Sequence, residues 1–260
     1  MTIILSLRCK DSIVVAADSR TTDNEESRDD AEKTHILQLE DAGAIVAASG
    51  SDDSSSVIVD SLKRLAGRSK METDEVPAQL LADAIRGHKS NLVTSTYGTM
   101  AKLRSLMLRD GLDCELLVAY YFKGKQKVYT ADLERGIPVP RVQAYWAMGI
   151  GKYVANYLLR SFDISGMDTQ QAIFTAIYIV DEVKATVQGC GGTTQIAIID
   201  PQNKPEKLSS GSIKEREHLA DELRQKRAAA LAAMKSNISD AATTYVYQPW
   251  GSKPSLPVED

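Results

Sequence analysis

The segment TIILSLRCKDSIVVAADSR, residues 2–20, has the pattern of two β-strands joined by a short turn. Apolar and polar residues largely alternate up to Lys10, which is typical of a strand with one buried face. The apolar run 13–17 ends at Asp18 and predicts a second, buried strand. With Lys10-Asp11-Ser12 as the turn, the sequence predicts an antiparallel hairpin.

Outward from this hairpin, the sequence groups strands and helices into separate blocks. The predicted elements are strands at 34–39 and 44–49; helices at 53–66 and 73–109, the second broken near Gly87 or Gly98; strands at 114–122, 127–132 and 143–148; helices at 152–161 and 169–187; a strand at 194–199; and a helix at 213–234. This order favours an α+β fold over alternating βαβ units. The two helical blocks indicate helices on both sides of packed antiparallel sheets.

The composition is that of a globular chain that does not bind nucleic acid or membranes through charge. Of 260 residues, 43% are hydrophobic and 25% are charged, and the formal net charge is −4 at pH 7. This acidic balance argues against electrostatic binding of nucleic acid or an anionic membrane. The apolar stretches are far shorter than the roughly 20 residues that a membrane span needs.

The use of cysteine and histidine suits a reducing compartment. Cys9, Cys114 and Cys190 are odd in number and widely scattered, which fits the cytosol better than a disulfide framework. A signal peptide is not visible at the start of the sequence. Cys and His residues lack metal-ligand spacing. We therefore expect a cytoplasmic protein without a structural zinc site.

The predicted hairpin would bring Thr2 close to Asp18. With the turn at residues 10–12, the numbers of paired residues sum to about 20–22, and this parity allows Thr2, Asp18 and Arg20 to share one face. A carboxylate at the end of a buried strand needs a partner, because an unpaired buried charge is costly.

Thr2 is a candidate nucleophile because it directly follows Met1. Methionine aminopeptidase removes Met before small residues such as Thr, which would leave Thr2 with a free α-amine. An α-amine titrates at about pH 8, so one residue could supply both a hydroxyl nucleophile and its general base. Lys33 would disfavour the protonated amine and stabilise the developing alkoxide, while Asp18 would keep that lysine charged. The alternative is that Thr2 merely opens a β-strand.

Three separated motifs resemble proteasome β-subunits and their bacterial relative HslV. The motifs are TIILSLRCKDSIVVAADSRTT (2–22), EKTHI (32–36) and VAASGSDDSSSVIVDSL (46–62). In that family an N-terminal Thr is followed by Asp sixteen positions later and by Lys some sixteen further on; here the offsets are sixteen and fifteen. The resemblance covers about residues 2–200 and implies a four-layer αββα sandwich, the fold of N-terminal-nucleophile (Ntn) hydrolases.

Carried over position by position, the resemblance implies a set of site residues. Thr2 would be the nucleophile with its own amine as base, and Asp18 and Lys33 would be the supporting pair. The Gly50 N–H would help to form the oxyanion hole, where each donor is worth about 3 kcal/mol. Further supporting candidates are Arg20, Gly149, Gly151 and Cys190.

The sequence departs from the family pattern at three positions. Ile150 occupies the place of a supporting serine, and Val187 and Cys190 fall where the family usually carries an Asp and a Ser before paired glycines. Cys190 could partly imitate the serine, although a free Cys is more often a small buried residue. These departures affect the proton relay more than the Thr-Asp-Lys core, and they leave open a degenerate, inactive subunit.

The resemblance implies a threonine peptidase that cleaves a polypeptide substrate through an ester on Thr2 Oγ, with no cofactor and no metal. It also implies a homo-oligomer of stacked rings and leaves room for an ATPase unfoldase as a partner. Because Met1 directly precedes Thr2, only one residue needs removal, which is the HslV-like arrangement. Two alternatives stay open: a non-catalytic ring or scaffold subunit, and an Ntn hydrolase of a small amide.

Two parts of the chain are not explained by the resemblance. The acidic segment 23–32 is most simply a solvated loop; a divalent-cation site or an electrostatic lure for basic peptides are the alternatives. The second part is the C-terminal extension. We expect one Ntn-hydrolase domain over residues 1–210, then a helix at about 213–235 and an extended tail within residues 211–260.

Overall fold

In a computed structural model, which describes residues 2–23, 26–107 and 112–244, two five-stranded antiparallel sheets lie face to face. The strands are β1 (Ile3–Arg8), β2 (Ile13–Asp18), β3 (Thr21–Asp23), β4 (Glu26–Arg28), β5 (Thr34–Gln38), β6 (Gly43–Gly50), β7 (Cys114–Phe122), β8 (Lys125–Asp132), β9 (Val139–Pro140), β10 (Tyr145–Gly149), β11 (Thr194–Ile199) and β12 (Pro205–Lys207). Sheet I has the order β10-β1-β2-β11-β12, and sheet II has the order β5-β6-β7-β8-β9. β3 and β4 form a short hairpin of their own.

Helices cover the outer face of each sheet. The helices of the described residues are α1 (Asp52–Ala66), α2 (Val76–Leu92), α3 (Met100–Met107), α4 (Lys152–Leu159), α5 (Thr169–Thr186) and α6 (Ser210–Thr244), and four of them cover the sheets. α1 and α2 pack on sheet II, and α4 and α5 pack on sheet I. The layers therefore follow the order α, β, β, α, and the predicted α+β sandwich is confirmed.

The two strands of the opening hairpin are buried on both faces, because sheet II covers one face and α5 covers the other. Ile13, Val15 and Ala17 belong to one core cluster with Ile45 and Leu117 of sheet II. A strand enclosed on both sides is expected to be apolar along its length, which explains the run IVVAA before Asp18.

The hairpin register corrects one expectation about the site. Ile4 pairs with Ala17 and Arg8 pairs with Ile13, so the numbers of paired residues sum to 21. An odd sum places Asp18 opposite Ile3, and the expectation that Thr2, Asp18 and Arg20 share one strand face is wrong. The physical reason is that Thr2 precedes β1 while Asp18 ends β2, so the carboxylate reaches Thr2 around the strand end.

The long helical region after α1 breaks at the second of its two candidate glycines. Gly87 lies within α2, which continues into a π-helical turn, Val93–Tyr97. Gly98 ends that turn with a φ of 73°, and its N–H donates to the Val93 carbonyl at 2.7 Å. Glycine adopts this left-handed conformation without the steric cost that a Cβ brings.

Several element boundaries differ from those predicted. The strand expected at 143–148 lies at Tyr145–Gly149, and the short strands β3, β4, β9 and β12 carry too little periodicity for prediction. α6 extends to Thr244, so residues 238–244 are helical rather than extended. The rest of the predicted tail, 245–260, lies outside the described residues. The contacts divide the chain into two compact units, one ending at Glu217 and one beginning at His218.

In the part of the chain that the structure describes, none of the helices is both long and apolar enough to cross a membrane.

Removing the N-terminal cap of α5 should lower the free energy of unfolding by about 1 kcal/mol. The Asp168 carboxylate accepts the Gln171 N–H at 2.8 Å, and the Gln171 side chain accepts the Asp168 N–H at 3.0 Å, forming a capping box. We expect this loss for Asp168→Ala in urea denaturation. Asp163→Ala is the control, because Asp163 precedes the 3₁₀ turn Ile164–Gly166 without a side-chain cap bond. Equal losses in both variants would contradict the capping role.

Candidate active site

Thr2, Asp18 and Lys33 meet at one end of the sandwich. Thr2 directly precedes β1 and Asp18 ends β2, both in sheet I, whereas Lys33 directly precedes β5 of sheet II. Their exposed fractions are 3%, 0% and 5%. Three polar side chains predicted from sequence spacing are thus brought together in a buried site.

The Asp18 carboxylate is the centre of this cluster. Its Oδ1 accepts hydrogen bonds from Thr2 Oγ1 at 2.5 Å, from the Ile3 N–H at 3.0 Å and from Lys33 Nζ at 2.8 Å. Its Oδ2 accepts the Gly191 N–H at 2.9 Å. A buried carboxylate is tolerated when its oxygens are hydrogen-bonded and a cation is paired with it, and Asp18 meets both conditions.

The Lys33 ammonium links the carboxylate to the hydroxyl. Besides its ion pair with Asp18, Nζ donates to Thr2 Oγ1 and to the Arg20 carbonyl. Burial lowers the pKa of Lys33, and the Asp18 carboxylate acts in the opposite direction. A cation that donates directly to Oγ1 favours the alkoxide form of that oxygen, because opposite charges stabilise each other in a site shielded from water.

The end of β10 and the glycine-containing turn that follows it contact the Thr2 backbone. Gly149 pairs with Ile3, has a φ of 84° and approaches so closely that a Cβ there would lie 2.8 Å from Thr2 Cγ2. The Gly151 N–H donates to the Thr2 carbonyl at 3.3 Å. Between them, Ile150 exposes 42% of its surface and offers no side-chain hydrogen bond where the family pattern has serine. This loop can therefore hold Thr2 through its backbone alone.

Substituting Gly149 by alanine should displace Thr2 and lower the free energy of unfolding by about 2–5 kcal/mol. A Cβ would add a steric overlap with the Thr2 backbone to the cost of the positive φ. Gly124→Ala is the matched control, because its φ is 73° and a Cβ there meets nothing within 4 Å. We expect the control to lose about 1 kcal/mol. Similar losses by urea denaturation would show that contact with Thr2 is unimportant.

Gly50 lies at the junction of β6 and α1. Its φ is 104°, and a Cβ there would lie 2.7 Å from the Cα of Cys114 on the paired strand. The next residue, Ser51, caps α1 by accepting the Ser54 N–H at 3.3 Å. On β6, two residues before Gly50, the Ala48 N–H donates to the Lys33 carbonyl at 3.1 Å. β6 therefore connects Gly50 to the segment that carries Lys33.

Cys190 lies beside the cluster as a neutral thiol. It is 2% exposed, and burial raises its pKa to about 11; the Asp18 carboxylate adds to this effect and Lys33 opposes it. A thiol with this pKa stays protonated near neutral pH, so it can act as a weak hydrogen-bonding group and not as a thiolate nucleophile. Val187, the residue that follows α5, has an apolar side chain.

Arg20 contacts Gly191, whose N–H donates to Asp18. Its guanidinium binds the Asp29 carboxylate through two hydrogen bonds of 2.6 and 2.9 Å, which holds the pKa of Asp29 below its usual value. The Arg20 N–H donates to the Gly191 carbonyl at 3.1 Å. A Cβ at Gly191 would lie 2.6 Å from Arg20 Nη1, so the guanidinium packs directly on this glycine.

Part of the acidic segment 23–32 thus has a structural partner in Arg20. Glu32, at its end, forms an ion pair with Lys207. Asn24 and Glu25 lie outside the described residues. Among the side chains that the structure describes, no group of three or more His, Cys, Asp or Glu residues could hold a metal ion.

Two residues of the site were missed by sequence reasoning. The sequence assigns no role to Gly191, yet its N–H donates directly to Asp18 Oδ2. Gln195 lies on β11, and its side chain accepts the Lys33 N–H at 2.9 Å. Periodicity marks residue 195 as part of a strand, but a contact with the other sheet has no signature in a single sequence.

Comparisons with known proteins agree with this architecture. The family model described as proteasome subunit matches residues 2–199. No curated protein matches the sequence significantly.

Solved structures with the same fold include several Anbu proteins. Anbu, an ancestral beta-subunit, from Yersinia bercovieri is 16% identical, with a TM-score of 0.68 and coverage of 99% of this chain and 100% of that one. The Anbu Gly-1 mutant from Hyphomicrobium sp. strain MC1 is 15% identical, with a TM-score of 0.66 and coverage of 88% and 97%. A helical assembly of the Anbu complex from Pseudomonas aeruginosa is 15% identical, with a TM-score of 0.64 and coverage of 96% and 100%. The family match spans most of the chain and the structural matches share its fold, so this chain belongs to the proteasome subunit family.

Proposed function

We propose that the chain is a threonine peptidase in which Thr2, freed by removal of Met1, is the N-terminal nucleophile. The observation that carries this proposal is the position of the Thr2 hydroxyl, which donates to the Asp18 carboxylate and accepts from the Lys33 ammonium in a buried site. A merely structural threonine at the start of a strand has no need of a buried lysine–carboxylate pair, whose desolvation is costly.

In the acylation step, the Thr2 α-amine takes the proton from Oγ–H as Oγ attacks the carbonyl carbon of the scissile bond. Lys33 stabilises the developing charge on Oγ, and the Gly50 N–H donates to the carbonyl oxygen as it becomes an oxyanion. The amine then passes its proton to the leaving nitrogen, and the C–N bond breaks to leave an ester on Thr2. A water molecule, deprotonated by the same amine, attacks the ester carbonyl carbon. The C–Oγ bond breaks, the amine returns the proton to Thr2 Oγ, and the carboxylic acid is released.

The charge of Lys33 also sets the basicity of the proposed base. A cation close to the α-amine disfavours the protonated form, so it lowers the pKa of the amine and raises the fraction of free base at neutral pH. Asp18 keeps the lysine charged and oriented. Gly191 and Arg20 support Asp18, and Gly149 and Gly151 support the Thr2 backbone.

We further propose that the protein works as a homo-oligomer on polypeptide substrates in the cytosol. Membership of the proteasome subunit family and the helical assembly of the Anbu complex from Pseudomonas aeruginosa support an oligomer. Stacked rings of the HslV type, with an ATPase unfoldase as partner, are the more specific form of this proposal. Cys9, Cys114 and Cys190 are buried free thiols, which is consistent with a reducing compartment.

A non-catalytic subunit is the second candidate, and the apolar residues Ile150 and Val187 at supporting positions favour it. An Ntn hydrolase of a small amide is the third. Native electron microscopy addresses the third, because a monomeric particle would argue against a sequestered protease chamber.

Intact mass spectrometry tests the proposed nucleophile. The purified protein is measured before and after treatment with an epoxyketone, which reacts with the hydroxyl and the α-amine of one N-terminal threonine. We expect a mass that lacks Met1 and a single adduct that peptide mapping assigns to Thr2. Thr2→Ala should lose Met1 in the same way and form no adduct. Retained Met1, or an unlabelled Thr2 in the wild type, would overturn the proposal.

A further inference from the structure

The ion pair at the candidate site spans two sheets. Asp18 belongs to β2 of sheet I, and Lys33 precedes β5 of sheet II. The distance of 2.8 Å between Asp18 Oδ1 and Lys33 Nζ therefore depends on how the sheets are held together at this end. Apolar packing between sheets is not directional, whereas a hydrogen bond fixes distance and angle.

Gln195 makes a directional link between the sheets at this end. In sheet I, β11 pairs with β2 so that Thr194 is opposite Asp18 and Gln195 is opposite Ala17. Gln195 has the same strand parity as Ala197 and Ile199, which belong to the core cluster shared with sheet II. Its side chain accordingly points to sheet II.

Both the oxygen and the nitrogen of the Gln195 amide bind the segment that carries Lys33. Oε1 accepts the Lys33 N–H at 2.9 Å, the Thr34 N–H at 3.2 Å and the Thr34 hydroxyl at 3.3 Å. Nε2 donates to the Ala31 carbonyl at 2.6 Å. One side chain from the strand next to Asp18 thus holds the backbone on both sides of Lys33.

We propose that Gln195 is a positioning residue for Lys33. From β11, the neighbour of the Asp18 strand β2 in sheet I, its side chain holds the backbone at Lys33, next to β5 of sheet II. This inference rests on the proposed threonine peptidase, because its effect is read through Thr2. Gln195 acts through Lys33 and has no chemical step of its own. Loss of its amide would let the 31–34 segment move away from β11 and carry the ammonium away from Thr2 Oγ1.

A displaced Lys33 changes the pH dependence of Thr2 reactivity as well as its rate. Among the described residues, the titratable groups that act on the ammonium include Asp18, Cys190 and Asp52. When the cation moves away, the Thr2 α-amine regains a higher pKa, and a higher pH is needed to generate the free base. The ascending limb of the reaction rate against pH should therefore shift upward.

The test compares Gln195→Met with Gln126→Met in the full-length protein. Gln126, on β8 of sheet II, also bridges the sheets, since its Nε2 donates to the Cys9 carbonyl at 2.6 Å and the Ser12 carbonyl at 3.0 Å. It does so at the β1–β2 turn, at the opposite end of β1 from Thr2. The measured quantity is the second-order rate constant for epoxyketone labelling of Thr2 from pH 5 to pH 10, together with the melting temperature.

We expect Gln195→Met to label Thr2 about 10- to 100-fold more slowly and with its ascending limb at higher pH. Gln126→Met should lower the melting temperature to a similar extent while keeping the wild-type rate and pH profile. If Gln195→Met does not fold, Gln195→Asn replaces it, because it keeps an amide but is too short to reach Lys33 and Ala31 together. Its expected shifts have the same direction.

The outcomes separate the two proposals. A wild type that does not label at Thr2 overturns the proposed function itself. A wild type that labels, with a Gln195 variant of unchanged rate and pH profile, overturns only the positioning role. Equal slowing by the Gln195 and Gln126 variants would also overturn it, because general loosening of the sandwich would then explain the effect.

Discussion

Lys33→Met is expected to slow acylation of Thr2 by about a thousandfold and to lower the free energy of unfolding by about 3–5 kcal/mol. The rate falls because the alkoxide loses its stabilising cation and the α-amine becomes more strongly protonated at neutral pH. Stability falls because the fully buried Asp18 loses its counter-charge. The measurements are epoxyketone labelling of Thr2 and urea denaturation at pH 7.

Lys127→Met provides the matched control for this substitution. Lys127 pairs with Asp74 at 2.6 Å, but their side chains are 27% and 42% exposed, and solvent screens the pair. We expect a loss of at most about 1 kcal/mol and an unchanged labelling rate. If Lys33→Met were as mild as Lys127→Met in stability and in labelling, neither the buried pair nor the role of Lys33 in the reaction would stand.

Asp18→Asn should be comparably damaging, with a distinctive pH dependence. The amide presents an NH₂ group to a set of four donors, those of Thr2, Ile3, Lys33 and Gly191, so at least one donor loses its acceptor. The Lys33 ammonium also loses the carboxylate that raises its pKa, and burial alone then lowers it further. We expect a loss of about 3–5 kcal/mol at pH 7 and about a thousandfold slower labelling of Thr2.

The sign of the pH effect follows from proton binding by Lys33. Because its folded-state pKa lies below the unfolded value of about 10.4, the folded chain binds fewer protons at this site than the unfolded chain between those two pKa values, and stability rises with pH across that window. In Asp18→Asn the folded-state pKa of Lys33 is lower, so the pH range over which stability rises begins at a lower pH. The stability deficit of the variant should therefore shrink as the pH rises through that window in urea denaturation. A constant deficit would show that Lys33 does not titrate with folding.

For the opening hairpin, hydrophobic periodicity predicts the paired strands but not which side chains share a face. Alternation from Ile3 and the apolar run before Asp18 predicted two paired strands, and the register sum of 21 lies in the predicted range. The inference that strand parity puts Thr2 and Asp18 on one face failed, because a shift of a single residue reverses which side chains share a face. The two residues meet because each lies at a strand end, where the pleat constrains a side chain least.

The pairing of Lys33 with Asp18 cannot be predicted from periodicity. Its spacing from Asp18 suggested a pair only through the family pattern, since periodicity gives no distance between residues on different sheets. The structure supplies that distance, and it adds Gly191 and Gln195, whose contacts are with residues more than 160 positions away in sequence. Such contacts depend on how two sheets stack, which a single sequence does not encode locally.

The sequence by itself determined the α+β architecture, the opening hairpin and the identities of Thr2, Asp18 and Lys33 as candidates. The architecture and the hairpin follow from periodicity and turn residues, which act over a few neighbouring residues, whereas the three candidates follow from the position of Thr2 after Met1 and from the spacing of the family motifs. Only the tertiary structure decided that the three side chains are buried together, that Asp18 takes four donors and that Gln195 holds the Lys33 backbone. The reason is physical: burial and hydrogen-bond distance are set by the packing of sheet I on sheet II, and that packing is the sum of contacts from the whole chain.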